Sequence, residues 1–386
     1  MRRRTFLELF AGAAVAGVPR LRAAANPRIV IAGGGILGTQ IAYRLARRGA
    51  FVTLLEREHP AAGATANSFA WLNATYEKQP WAYFYLNRLG IEAWRALDAE
   101  LPNVLPVRWG GSVEWYGDER GAAEFRERVR AHQRWGYPVA LIDEAQLRAL
   151  EPRITPGRVA AAAYAEDEGH VDPVGAVNVL IDQAKRAGAR VRYPAEITGL
   201  DVRGGRLRAV RTKDGDVDAD VLVIACGTDT PRVAAMAGLQ VPLKPSPGVL
   251  VHTTPQQPKL GRVVLSPIAH MKQKPDGRIV TGSGFGGTPG TDTSIAAGER
   301  FLQTAATVLP LFGSMRVERV TLGWRPLPKD EYPVVGFPRG RRDLYITVMH
   351  SGMTLSPLIA RLAATEILDG VDVDMLSPYR LERFVP

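Results

Sequence analysis

The sequence predicts an α/β protein in which a Rossmann-like domain is interleaved with an α+β part whose strands are mostly antiparallel. Three patterns predict this fold. An apolar strand near residue 28 runs into a glycine turn and a helix, residues 169–238 form a second α/β block, and residues 241–320 contain short strands separated by proline and glycine. Because 386 residues are too many for one simple core, we expect two domains.

The first βαβ unit carries a dinucleotide-binding motif. Gly33, Gly35 and Gly38 have the G-x-G-x-x-G spacing between a strand at 28–32 and a helix predicted at 39–48, whose N-terminal N–H groups would face a pyrophosphate. The next strand ends at Glu56, 21 positions after Gly35, where a carboxylate can accept ribose hydroxyls. The predicted cofactor residues of this unit are Gly33, Gly35, Ile36, Leu37, Gly38 and Glu56.

The later elements follow from hydrophobic periodicity and turn residues. Helices are predicted at 81–99, 119–135, 145–150, 174–187 and 358–368, and strands at 112–116, 189–193, 220–227 and 343–349. The strand at 220–227 ends at Gly227, which should face the same crevice as Gly33 if both strands lie in one parallel sheet.

Composition argues against several other classes of protein. Hydrophobic residues make up 46% and charged residues 23% of the chain, as in soluble globular proteins. Residues 1–25 hold five arginines and one glutamate, hence +4 of the net charge of +10, and the other basic residues alternate with acids. We therefore predict no nucleic-acid partner. We also predict no metal site, because the six histidines lack zinc-site spacing.

The first 25 residues resemble a twin-arginine export signal. Arg3 and Arg4 precede Thr5-Phe6-Leu7, the apolar run at 10–18 is too short to span a bilayer, and small residues follow at 23–25. We expect the twin-arginine machinery as a partner, a periplasmic or exported location and no transmembrane span. The alternatives are a membrane-surface anchor and a frayed basic tail.

The order of the motifs resembles the FAD-dependent oxidoreductase family of D-amino-acid oxidase, glycine oxidase and sarcosine oxidase. The resemblance rests on the small-residue segment 62–74, the strand 220–227, Asp276-Gly277-Arg278, the proline-rich segment 324–336 and residues 350–354. It implies an FAD-binding domain at 26–102, 160–238 and 322–386 and a substrate domain at 103–159 and 239–321. It also implies non-covalent FAD, because the one cysteine, Cys226, lies away from the proline-rich segment.

The resemblance also implies further cofactor residues. It places Thr65, Asn67 and Ser68 near the pyrophosphate or flavin, Gly227 beside the cofactor, and Ser351, Gly352, Met353 and Thr354 against the isoalloxazine ring. A helix that starts near residue 356 would direct its positive end at the ring, which gains negative charge on reduction.

Three residues are candidate catalytic groups. Arg325 matches an arginine that pairs with the substrate carboxylate in D-amino-acid and glycine oxidases; the alternatives are a pair with Glu331 or a cap on backbone carbonyls. His350 would accept a proton from the substrate amine, or else hydrogen-bond backbone or cofactor. Lys272, on the same strand face as His270, would assist oxygen reduction, or else belong to a solvated surface pair.

We therefore predict an FAD-dependent oxidoreductase that oxidises the C–N bond of an amine or amino acid. Hydride would pass to flavin N5, an imine would form and be hydrolysed, and electrons would pass to oxygen or a respiratory acceptor. The sequence does not separate oxidase from dehydrogenase. The alternatives are a nicotinamide-dependent dehydrogenase with the same glycine loop and a flavin-binding subunit without turnover.

Overall fold

The computed structural model describes residues 26–76, 78–284 and 287–384. The predicted export signal lies outside these residues. The strands are β1 (Arg28–Ala32), β2 (Phe51–Leu55), β3 (Trp71–Leu72), β4 (Val107–Trp109), β5 (Ser112–Tyr116), β6 (Val139–Ile142), β7 (Ala161–Ala165), β8 (Gly169–Val171), β9 (Arg190–Arg192), β10 (Ile197–Arg203), β11 (Arg206–Thr212), β12 (Gly215–Asp218), β13 (Val221–Ile224), β14 (Leu243–Lys244), β15 (Pro247–Thr253), β16 (Val263–Leu265), β17 (His270–Gln273), β18 (Ile279–Gly282), β19 (Val317–Trp324), β20 (Leu327–Pro328), β21 (Val334–Gly336) and β22 (Leu344–Val348). The helices are α1 (Ile36–Arg47), α2 (Trp81–Glu100), α3 (Glu119–Arg134), α4 (Glu144–Leu150), α5 (Pro173–Arg186), α6 (Thr230–Ala235), α7 (Ile295–Ala305) and α8 (Gly352–Asp369).

A six-stranded sheet with the order β21-β22-β13-β1-β2-β9 forms the first half of the fold. All of its pairs are parallel except β21 with β22. Strand β1 is apolar on both faces because both are covered. Ile29 and Ile31 pack in the core with α1, α5 and α8, whereas Val30 and Ala32 pack in the core with β10 and β11. The predicted Rossmann-like sheet is confirmed.

An eight-stranded sheet with the order β19-β15-β18-β17-β16-β5-β7-β6 forms the second half. Its pairs are antiparallel except β16 with β5. Helices α4 and α7 contribute Leu147 and Leu302 to the core against this sheet. The predicted α/β fold with a mostly antiparallel second part is confirmed. The boundary predicted between residues 159 and 160 does not follow the pairing, because β7 joins the eight-stranded sheet.

Helices α1 and α8 begin at least three residues earlier than predicted. Helix α1 begins at Ile36 rather than residue 39, since Gly35 is its N-cap and the Thr39 N–H donates to the Gly35 carbonyl at 3.0 Å. Helix α8 begins at Gly352 and includes Pro357, which was expected at its start.

A tertiary contact lets α8 tolerate this proline. Pro357 has no N–H for the carbonyl four residues earlier, that of Met353, which instead accepts the indole N–H of Trp94 at 2.7 Å. In the described part of the chain, no helix has the length and apolar character needed to cross a membrane.

Candidate active site

A cleft of about 1610 Å³, its open mouth included, lies at the carboxyl ends of β1, β2, β13 and β22. This edge is where open α/β sheets bind ligands. The sequence-predicted site residues that line the cleft are Gly33, Gly35, Ile36, Leu37, Glu56, Thr65, Asn67, Ser68, Gly227, Arg325, His350, Ser351, Gly352, Met353 and Thr354. Gly38 and Lys272 do not line it.

The glycine loop is packed too closely for side chains at Gly33 and Gly38. Gly33 has φ +106°, and a Cβ there would lie 2.4 Å from the Ala225 carbonyl oxygen. A Cβ at Gly38 would lie 2.0 Å from the Gly33 carbonyl oxygen, so this glycine lets helix and strand pack although it faces no ligand. The Thr65 hydroxyl accepts the Ile36 N–H at 3.1 Å, which links the loop to the small-residue segment.

At one end of the cleft the Glu56 carboxylate is held by backbone donors. One oxygen accepts the Gly34 N–H at 2.7 Å and the other accepts the Glu58 N–H at 2.9 Å. Because each carboxylate oxygen has a further lone pair, the group can also accept ribose hydroxyls. The remaining acceptor positions of Glu56 therefore fit the ribose hydroxyls of a dinucleotide.

Residues 67–73 form one wall of the cleft. The Ser68 hydroxyl accepts the Ala70 N–H at 2.9 Å, and the Asn67 amide donates to the Gly63 carbonyl at 3.1 Å. The Asn73 N–H donates to the Thr354 hydroxyl at 3.2 Å, which joins the wall to α8. The wall is thereby attached to the helix whose N-terminus faces the cleft.

The other end of the cleft is the start of α8, where Ser351 is the N-cap. Lys78, whose side chain is buried with the residue only 3% exposed, donates from Nζ to the Ser351 hydroxyl at 2.7 Å. The Tyr83 hydroxyl lies 2.7 Å from the same Ser351 oxygen. Sequence analysis missed both as site residues, because a lysine among polar residues before a helix looks solvent-exposed. No sequence signal could have indicated its burial.

Arg325 is half-buried in the wall of this end. Its Nε donates to the Ser246 carbonyl at 3.1 Å and its Nη2 to the Pro247 carbonyl at 2.6 Å. Burial lowers the pKa of the guanidinium. The expected pairing with Glu331 is wrong, since Glu331 binds Lys244. The expected capping of backbone carbonyls is observed, and it holds the guanidinium plane in the wall.

His350 is uncharged at neutral pH. Burial, and secondarily the charges of Lys78 and Arg325, lower the pKa of its imidazole to about 3. A base with so low a pKa accepts protons poorly near neutrality. The depressed pKa therefore weighs against proton abstraction and favours the hydrogen-bonding role.

Lys272 lies behind the wall of the cleft. The expected solvated surface pair is wrong, because Lys272 is 1% exposed and His270 is also buried. The Lys272 Nζ donates to the Val171 carbonyl at 2.9 Å and the Ala70 carbonyl at 3.4 Å. Burial lowers the pKa of this amine to about 7. Its observed contacts link the wall to β8, and its role in oxygen reduction stays a prediction.

Glu168 is a second buried charged residue that sequence analysis missed. Its Oε1 accepts the N–H groups of Ala74 and Thr75 at 2.9 and 3.1 Å, and its Oε2 accepts the Ser112 hydroxyl at 2.7 Å. Burial raises the pKa of this carboxyl to about 7. Glu168 thus joins the segment that follows the cleft wall to the eight-stranded sheet.

We expect the stability difference between the wild type and Glu168→Gln to depend on pH. Between about pH 4.5 and 7 the folded carboxyl keeps a proton that the unfolded chain has lost, so its contribution to stability falls as pH rises. The difference in unfolding free energy should fall by up to about 3 kcal/mol across this interval. Urea unfolding of both proteins at several pH values measures it. Glu144→Gln, at an exposed position, is the control, and an equal slope for both variants would contradict the prediction.

The chain is similar to proteins of a known family. Residues 28–366 match the family model described as "DAO: FAD dependent oxidoreductase". The chain is 27% identical over 372 residues to the glycine oxidase of Geobacillus kaustophilus (strain HTA426), which covers 92% of this chain and 97% of the relative. The crystal structure of glycine oxidase from Geobacillus kaustophilus gives a TM-score of 0.84 at 25% identity and covers 94% of this chain and 100% of that one. L-proline dehydrogenase from P. horikoshii has the same fold, with a TM-score of 0.82 at 22% identity and coverage of 93% and 98%.

The residues of the cleft fit the cofactor of this family. The glycine loop, which has no room for a Cβ at Gly33, lines the cleft together with the Glu56 carboxylate and the N-terminal residues of α8. The match to this family identifies the cofactor as FAD, whereas the glycine loop alone is compatible with either FAD or a nicotinamide cofactor. The chain belongs to the DAO family of FAD-dependent oxidoreductases.

Proposed function

We propose that this enzyme oxidises the C–N bond of an amino acid and that Arg325 binds the substrate carboxylate. The wider class, an FAD-dependent oxidoreductase of amino acids or amines, is supported by the family and by the glycine oxidase relative. The proposal for the carboxylate depends on one observation, the position of Arg325 in the cleft.

Arg325 lines the cleft close enough to His350 to affect its pKa. The acid Glu56 also lines the cleft, where its carboxylate is held by the Gly34 and Glu58 N–H groups. A guanidinium suits a carboxylate because its N–H groups can contact both oxygens in one plane.

The chain would bind, orient and shield the substrate. FAD, when bound, supplies the capacity to accept a hydride. Arg325, held by two backbone carbonyls, would fix the carboxylate and so the direction of the neighbouring C–H bond. The buried side chains of Phe69 and Trp71 would exclude water from the wall. The N-terminus of α8 would stabilise negative charge that develops in front of it.

An anaerobic screen tests the proposal. The purified yellow protein is mixed with amino acids and, in parallel, with the amines that remain after their decarboxylation. We expect loss of the yellow absorbance with one or more amino acids and much slower loss with the matched amines. Equal rates for both would contradict the role of Arg325. No loss with any compound, together with a co-purifying partner, would favour a flavin-binding subunit.

We also propose that the protein loads FAD without a covalent bond and is then exported, and that it passes electrons to oxygen or a respiratory acceptor. The arginine pair at residues 3 and 4 supports export. Cys226, whose thiol donates to the Ala32 carbonyl and has its pKa raised to about 12 by burial, is a poor candidate for a flavin bond.

Changing both Arg3 and Arg4 to lysine should retain the protein in the cytoplasm of a bacterium that has the twin-arginine pathway. The reason is that the pathway depends on the arginine pair. Cell fractionation with an antibody measures the distribution. The matched control changes Arg20 and Arg22 to lysine. Unchanged fractionation of the Arg3/Arg4 variant would refute the export proposal.

A further inference from the structure

We infer that Lys78 is a positioning residue for bound FAD: with Tyr83 it makes Ser351 a hydrogen-bond donor toward the cleft and keeps a positive charge beside it. The inference rests on the proposed placement of the flavin ring against residues 351–354. It adds a cation, contributed by the segment before α2, to the N-terminus of α8.

The Ser351 hydroxyl is in hydrogen-bond contact with both Lys78 and Tyr83. Ser351 lines the cleft and caps α8, and its oxygen lies 2.7 Å from Lys78 Nζ and 2.7 Å from the Tyr83 hydroxyl. All three side chains are buried. A hydroxyl offers two acceptor positions and one donor, and an ammonium can only donate. Lys78 therefore occupies one acceptor position of Ser351.

The Tyr83 phenol keeps its proton and can donate it to Ser351. Burial raises the pKa of the Tyr83 phenol to about 12, so it retains its proton at neutral pH. When Tyr83 donates to Ser351, both acceptor positions are filled and the Ser351 O–H is left to donate elsewhere. Because Ser351 is a cleft residue, that donor is available to a bound ligand.

Lys78 places a positive charge close to the cleft. This charge lowers the pKa of His350, which lines the cleft and is itself uncharged. The side chain packs over the Tyr83 ring at 5.4 Å from its centroid, in surroundings with little water to screen it. A cation held there stabilises a ligand that becomes more negative, so it should favour reduction of the bound cofactor.

The test measures the reduction potential of FAD bound to Lys78→Met, by anaerobic dithionite titration with a reference dye. We expect two-electron reduction to become at least tenfold less favourable, which corresponds to a potential lower by about 30 mV. Lys78→Arg should recover most of the change, because it keeps the charge and a donor. Lys185→Met is the control, since it removes the same charge from the exposed end of α5.

Tyr83→Phe provides a second test if Lys78→Met does not fold. It removes one hydroxyl and keeps the ring, and it should make reduction about threefold less favourable by weakening the orientation of Ser351. The effect should disappear when Ser351 is already alanine. Potentials in both single variants equal to that of the wild type, with FAD bound, would overturn the inference. A wild-type protein that binds FAD normally but oxidises no amino acid would instead overturn the proposed function.

Discussion

Arg325→Ala should lower kcat/KM for a carboxylated substrate by about 10²–10³-fold and leave FAD bound. Loss of a partly buried partner of a charged group costs about 3–4 kcal/mol, which corresponds to this factor. The structure gives the reason: the guanidinium lies in the cleft wall and is held there by the carbonyls of Ser246 and Pro247. Steady-state kinetics with matched amino acid and amine substrates measures the loss.

Because Arg325 also caps two carbonyls, its removal needs a control for the loss of structure. Arg262→Ala is suitable, since Arg262 also caps a carbonyl, that of Leu150, and does not line the cleft. This variant should keep normal kinetics. Arg325→Lys should recover only part of the activity, because an ammonium cannot contact both carboxylate oxygens in one plane. An equal loss for carboxylated and non-carboxylated substrates would show that Arg325 maintains structure only.

Gly38→Ala should abolish tight FAD binding and lower the free energy of unfolding. The new Cβ would lie 2.0 Å from the Gly33 carbonyl oxygen, a backbone atom that moves only if the loop moves. We expect a loss of stability of about 3 kcal/mol, the upper end of the overpacking range, and FAD binding weakened by about 100-fold or more because the loop is misplaced. Flavin fluorescence titration and thermal unfolding measure the two effects.

Variants at two other glycines distinguish an effect on folding from an effect on FAD binding. A Cβ at Gly35 would meet only the Thr65 hydroxyl at 3.1 Å, so Gly35→Ala should fold and still weaken FAD binding. A Cβ at Gly313 would have no neighbour within 4 Å, so Gly313→Ala should match the wild type. If Gly38→Ala binds FAD as tightly as Gly313→Ala, the close packing of the glycine loop does not determine cofactor binding.

The family, the fold and most of the cleft are predictable from local sequence patterns. The glycine loop, Glu56 and Gly227 are predictable because each follows an apolar strand, and the carboxyl ends of parallel strands meet at one edge of a sheet. Each of these patterns is local, and the general rules of strand pairing determine that the residues meet at one place in the fold. The assignment of residues to contacts with FAD and substrate stays a prediction that the variants above test.

Which polar groups are buried, and what they bind, depends on packing between segments that are distant in the sequence. Lys78 and Ser351 are 273 positions apart, so no local pattern connects them. Pro357 lies inside α8 because Trp94, from α2, satisfies the carbonyl that the proline leaves without a donor. Lys272 looked equally suited to a surface or a cleft, and its burial behind Ala70 depends on the packing of three separate segments. Burial of a charge depends on such distant partners, which is why the sequence located the cleft and Arg325 but not the buried Lys78 beside it.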